Sequence, residues 1–235
     1  MFLRKIYLFI FFGFICLSTS ISKAQPHIIS SKEGYTNVRI SASAKSKIIA
    51  KLKDNTIILL DEIDEGSDHE DWKKILFYKE RPFSILEETE HLEMESGFIH
   101  KSQMKDLTAL KKPNSGSFSM DFEIKAFQKQ DYTLTFHEES SYAPKTINGF
   151  HYYLADCGLP KTAIIKATAT LNGQKILIPQ KYVLGIISAQ NNFEYYQNGN
   201  HYFAYQGVGD GSCFNYVVWV FSDGKLSQRF VGWEY

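Results

Sequence analysis

The stretch 34-GYTNVRISASAKSKIIAKLKDNTIILL-60 decides how the first half of this chain folds. Tyr35–Ile40 alternates polar and apolar residues, the two-residue period of a strand with one buried face. Ser41–Lys47 is small and polar and reads as a loop. Ile48-Ile49 and Leu52 lead through Lys53-Asp54-Asn55, a turn, into the β-branched and aliphatic run Thr56–Leu60. Further along, Trp72-Lys-Lys-Ile-Leu-Phe77 alternates again, and Ser96-Gly-Phe-Ile-His100 is short and half apolar, like a closing strand.

The order Asn37-Val38-Arg39, polar loop, Asp54-Asn55 turn, Trp72-Lys73-Lys74-Ile75 and Gly97-Phe98-Ile99-His100 resembles the bacterial SH3 domain, SH3b. The resemblance covers residues 32–107 and implies a small SH3-like barrel. It departs from the family at Lys79–Glu95, a long acidic insertion where a tight hairpin is expected. It also implies recognition of extended peptides, often from the cell wall, in a shallow aromatic groove. Tyr35, Trp72, Tyr78 and Phe98 are the ligand-binding candidates that follow.

The first residues bear on the compartment. Arg4-Lys5 precede an uninterrupted apolar run, Ile6–Leu17, and Ser22-Lys23-Ala24 places small residues at −3 and −1 before Gln25. Residues 1–24 therefore read as a secretory signal peptide, and the mature protein as exported, periplasmic or extracellular, with no stable membrane anchor. The apolar run is well short of the roughly 20 residues needed to span a bilayer.

Lys plus Arg and Asp plus Glu each total 26, so no global charge points to nucleic acid. The local balance differs. Between Asp54 and Glu95 there are fourteen acidic residues against Lys73, Lys74, Lys79 and Arg81. That excess repels nucleic acid and anionic lipid and suits a solvated loop or a basic partner.

Residues 30–110 form the barrel in this reading, and Lys111-Lys-Pro-Asn-Ser-Gly-Ser117 is a linker. Residues 118–235 make a second, antiparallel β-domain, a sandwich or a bent meander. Gln25–Lys32 reads as a polar, extended lead-in, and Lys101–Leu110 closes the barrel through a 3₁₀ turn. Phe83–Met94 is partly spaced for a helical turn or two. In the second half Met120–Phe127, Tyr132–His137 and Thr162–Leu171 alternate, and Phe150–Ala155 is an aromatic strand. Asn172-Gly173, Asn198-Gly199 and Ser222-Asp-Gly-Lys225 mark three hairpins. The fold class is all-β.

Cys157 and Cys213 remain after signal cleavage, and two cysteines in an exported chain suggest a disulfide, worth about 4 kcal/mol on a chain-entropy argument. Ala155-Asp-Cys-Gly-Leu159 is similar to the Asp-Cys-Ser-Gly motif of NlpC-type cell-wall cysteine peptidases, with His201 as a candidate base. The motif's Ser is missing, however, and a β-branched run follows in place of the helix that presents the thiol. His137 and His151 are isolated, with no metal-ligand spacing, so no metal or cofactor is expected. Asp210 lies in a glycine-rich loop without the ending of a phosphate loop. Glu138-Glu139 would face opposite sides of a strand. Tyr152-Tyr153, Tyr195-Tyr196, Tyr202 and Tyr205 suit either an amphipathic sheet or an exposed protein- or glycan-binding row.

The leading expectation is a non-enzymatic binding protein of the cell envelope, its partner a peptide, a cell-wall fragment or an envelope protein. The alternatives are a cysteine peptidase using Cys157 and an inhibitor or immunity-like protein whose acidic loop meets a basic protein.

Overall fold

The computed structural model describes residues 25–61, 71–79, 83, 94–136, 144–152, 158–186, 189–209 and 214–232. The first seven strands are β1 (Pro26–Ile29), β2 (Tyr35–Arg39), β3 (Ile48–Lys53), β4 (Ile57–Leu60), β5 (Trp72–Phe77), β6 (Glu95–His100) and β7 (Met104–Asp106). They form one sheet in the order β3-β2-β6-β5-β4-β1-β7. Next come β8 (Phe118–Ala126), β9 (Leu134–Phe136), β10 (Pro144–Ile147), β11 (Phe150–His151), β12 (Thr162–Leu171) and β13 (Gln174–Ile178). Of these, β13-β12-β8 and β11-β10-β9 are two three-stranded sheets. A meander of β14 (Glu194–Asn198), β15 (His201–Val208), β16 (Asn215–Ser222) and β17 (Lys225–Gly232) follows. All described pairings are antiparallel, and the only helical pieces among the described residues are short 3₁₀ turns, including Lys101–Gln103 and Leu107–Ala109. The protein is all-β.

The meander is the middle layer, and its composition explains why. A strand with one wet face alternates, whereas Tyr216–Phe221 is apolar throughout because both faces are covered. Val217, Trp219 and Phe221 join Phe118, Met120, Phe122 and the β12 residues Ile164, Ala167 and Ala169 in one core. Tyr216, Val218 and Val220 face the other way, joining Phe203 and Phe230 with Ile28, Ile57, Leu59, Tyr78 and Leu107 of the N-terminal half. A third core, Ile29, Val38, Ala50, Leu52, Ile58, Ile75, Phe77 and Ile99, lies within the N-terminal sheet.

Pro26–Ile29 is a correction to the sequence reading. This segment is not a polar lead-in but an inner strand, paired with β4 on one side and β7 on the other. Ile28 enters the core shared with the meander and Ile29 the N-terminal core, so two adjacent isoleucines are both fully buried. A strand buried on both faces has no alternation to betray it.

Local backbone chemistry sets the turns. Asn172-Gly173 takes φ of 49° and 81°, and Asp223-Gly224 takes 51° and 73°, the double left-handed geometry of tight hairpins. Asn148-Gly149 does the same between β10 and β11, with φ of 52° and 80°. The β14–β15 turn is displaced by one residue from expectation: Asn198 pairs with His201, which leaves Gly199-Asn200 as the turn. Gly97 is required by a close approach. A Cβ there would lie 2.5 Å from Val38 Cγ1 and 2.9 Å from Ile49 Cδ1.

The segment 111–117, expected as a linker, runs along the edge of the meander. Lys111 bridges to Gln197, whose N–H donates to the Lys111 carbonyl at 2.8 Å. Lys112 Nζ lies 3.3 Å from Glu194 Oε2 and 3.8 Å from the centre of the Tyr196 ring. The Tyr196 hydroxyl donates to the same carboxylate at 2.6 Å. That hydrogen bond first, and then Lys112, hold the Glu194 carboxyl below its ordinary value. A carboxyl depressed on folding contributes stability above its unfolded pKa, and this is lost as pH falls through the lower folded value. Acid titration of unfolding stability should therefore fall less steeply for Glu194→Gln than for the parent chain. Matching acid limbs would contradict this.

Candidate functional site

Alternation along β2, β5 and β6 sends Val38, Ile75 and Ile99 inward and the residues between them outward. Phe98 pairs with Arg39 on one side and Lys74 on the other, and Trp72 pairs with His100. Trp72, Lys74, Phe98, His100 and Arg39 thus share the outer face, and Tyr35 joins it further along β2. All six are partly exposed.

The polar members of this face are largely committed to framing it. Arg39 donates to the Ser46 carbonyl at 2.6 Å, which holds the loop 41–47 against the sheet. Lys74 Nζ pairs with Asp61 at 3.1 Å. His100 Nδ1 accepts from the Ser102 N–H at 3.3 Å and lies 2.8 Å from its hydroxyl, so the ring caps the following 3₁₀ turn. The fixed imidazole meets Trp72 edge to face, centroids 5.7 Å apart at 88°. Lys51 Nζ stands 3.4 Å above the Tyr35 ring. The face therefore presents partly exposed aromatic surfaces among polar side chains that are already hydrogen-bonded or ion-paired.

Three of the four sequence-predicted binding residues, Tyr35, Trp72 and Phe98, share this face. Tyr78 does not. It is 7% exposed, packs on Phe230 at 5.4 Å, and donates its hydroxyl to the Val231 carbonyl at 2.6 Å, tying the N-terminal half to β17. Cys157, Cys213, His137, Glu138-Glu139, Tyr153, Asp210 and most of the acidic insertion lie outside the described residues. Of the C-terminal tyrosines, Tyr196 is 2% exposed and Tyr202 9%, and Tyr195 bonds the Met120 backbone through its hydroxyl. Burial raises the phenol pKa values of Tyr152 and Tyr196, so both stay protonated, and Tyr196 donates to Glu194.

A second concavity, not legible in the sequence, opens where the N-terminal sheet meets the meander. It encloses about 630 Å³ and is lined by Lys51–Thr56 and Tyr78 on one side and by His201, Val220, Ser222, Ser227 and Gln228 on the other. Its corner is tied by the Asn198 amide, which donates to Asn55 Oδ1 at 2.7 Å, and by the Ile57 N–H, which donates to Gln228 Oε1 at 3.1 Å. Among the described residues no group of three or more His, Cys, Asp or Glu side chains gathers as metal ligands do. No described helix is long and apolar enough to cross a membrane. No family model, curated protein or solved structure matches the chain.

Proposed function

We propose that the chain is an exported, non-enzymatic binding protein of the cell envelope whose N-terminal half is an SH3b-like module recognising peptides or cell-wall material. The observation that carries this reading is the outer face of β2, β5 and β6, where Tyr35, Trp72 and Phe98 stand in a frame held by Arg39, Lys74 and His100. Aromatic surfaces already braced by their neighbours lose little side-chain freedom on stacking against an extended ligand. Export rests on the charged start, apolar run and small-residue site of residues 1–24.

The test is retention of the mature chain on purified peptidoglycan. Retention is expected, and Trp72→Ala or Phe98→Ala should weaken it about tenfold, the scale of one lost aromatic anchor. A parent chain that washes through, or variants retained as well as the parent, would remove this reading.

A further inference from the structure

We propose that the cleft between the outer edge of β3 and the ends of the meander strands is a second binding site, which takes an extended peptide segment carrying a carboxylate. It adjoins the aromatic face at Lys51, whose ammonium lies over the Tyr35 ring, and does not rest on a binding role of that face.

The first support is backbone direction. The Asp54 N–H donates to the Gly34 carbonyl at 3.0 Å, and Leu52 pairs with Thr36 and Ala50 with Val38 in the same phase. In an antiparallel ladder alternate residues turn their N–H and C=O to opposite sides. Lys51 and Lys53 therefore direct theirs away from β2. The Lys53 carbonyl accepts from the Thr56 N–H at 3.2 Å, which closes the turn. Lys51 keeps both groups toward the cleft, and among the described residues no strand pairs with that side of β3. An edge of this kind is where an added strand forms its main-chain bonds.

The second support is the chemistry of the lining. Several of its acceptors are already used: Asp54 Oδ1 takes the Ser31 N–H at 2.8 Å, Asn55 Oδ1 takes Asn198, and Gln228 Oε1 takes Ile57. The Ser227 hydroxyl donates to the Val220 carbonyl at 3.0 Å. The lining also carries side chains able to donate, Gln228 through its NH₂, Ser222, His201 and Lys53, while the Lys51 ammonium is turned to the Tyr35 ring. Asp54 is the single carboxylate in the lining. Donors and positive charge beside an open strand edge select an acceptor-rich, negatively charged chain, and the volume is in the range of sites that hold a small ligand or a short peptide segment.

The test selects binders from a display library of random eight-residue peptides on the full mature chain, then measures the enriched peptides by fluorescence anisotropy. Enriched sequences are expected to carry Asp, Glu or a required free C-terminal carboxylate. They should bind at least tenfold more weakly to Lys53→Glu, and also to Lys51→Pro, which removes the outward N–H without touching the β2 ladder. Each variant is first checked for an unchanged melting temperature, and His201→Ala serves as the cleft variant in place of any that fails. Trp72→Ala should leave this binding unchanged, which separates the site from the aromatic face. No enrichment, enrichment of peptides without carboxylates, or equal binding by the cleft variants would overturn the proposal.

Discussion

Replacing Arg229 with methionine is expected to destabilise the fold by about 3–5 kcal/mol, because three buried backbone carbonyls lose a charged donor. Arg229 lies on β17 and is fully buried. Its Nε donates to the Phe83 carbonyl at 2.8 Å, and one terminal nitrogen donates to the carbonyls of Tyr182 at 2.8 Å and Leu184 at 2.6 Å. Those carbonyls belong to two segments far apart in sequence, which meet again where Phe83 stacks on Tyr182 at 4.5 Å. Methionine fills a similar volume but donates nothing, so backbone acceptors in a dry site lose their partner at about 1–3 kcal/mol each. Lysine should recover only part of the loss, because a single ammonium does not reproduce the planar fork. Chemical denaturation of the three proteins decides the matter. A methionine variant as stable as the parent would mean that the arginine is dispensable to the fold.

The next residue on the same strand faces the opposite layer, and Phe230→Ala is expected to cost about 3–5 kcal/mol as a large-to-small change in a packed core. Phe230 is fully buried among Tyr78, Leu59 and the apolar side chains of β15 and β16. This core contains residues from both halves of the chain. Pulling the halves apart would expose Ile28, Ile57, Leu59, Val218, Val220 and Phe230 together. Domain stabilities are commonly about 5–15 kcal/mol, so such exposure is not sustained by either half alone. The described chain is therefore expected to melt in one calorimetric transition, with Phe230→Ala lowering that single transition. Two transitions, only one of them moved by the substitution, would show that the layers fold independently.

Much of the β architecture was legible because its causes are local. Asn172-Gly173 and Asp223-Gly224 bend the chain into hairpins through backbone angles that few other residues tolerate. Thr162–Leu171 alternates over its second half and is broken by a bulge between Ile164 and Lys166, yet its bounds are those read from the sequence. Asn148-Gly149 carries the same local signal, with φ of 52° and 80°, between β10 and the two-residue β11. Trp72 and Phe98 enter as candidates through the SH3b resemblance, and both are partly exposed, on the side of their strands opposite Ile75 and Ile99.

The sequence by itself determined the all-β class, most of the strands and the Asn172-Gly173 and Asp223-Gly224 hairpins, because period and turn chemistry act over a few residues. Only the tertiary structure decided that β1 is internal, that Tyr78 belongs to a core, and that the meander is covered on both sides. It also decided that Lys51–Thr56 and Ser222–Gln228 face each other across a cleft. The burial of Tyr78 and the facing of the cleft walls depend on contacts between residues more than a hundred positions apart, Tyr78 with Val231 and Ile57 with Gln228. They are set by which apolar faces find each other, and a pattern read along one strand carries no record of its distant partner.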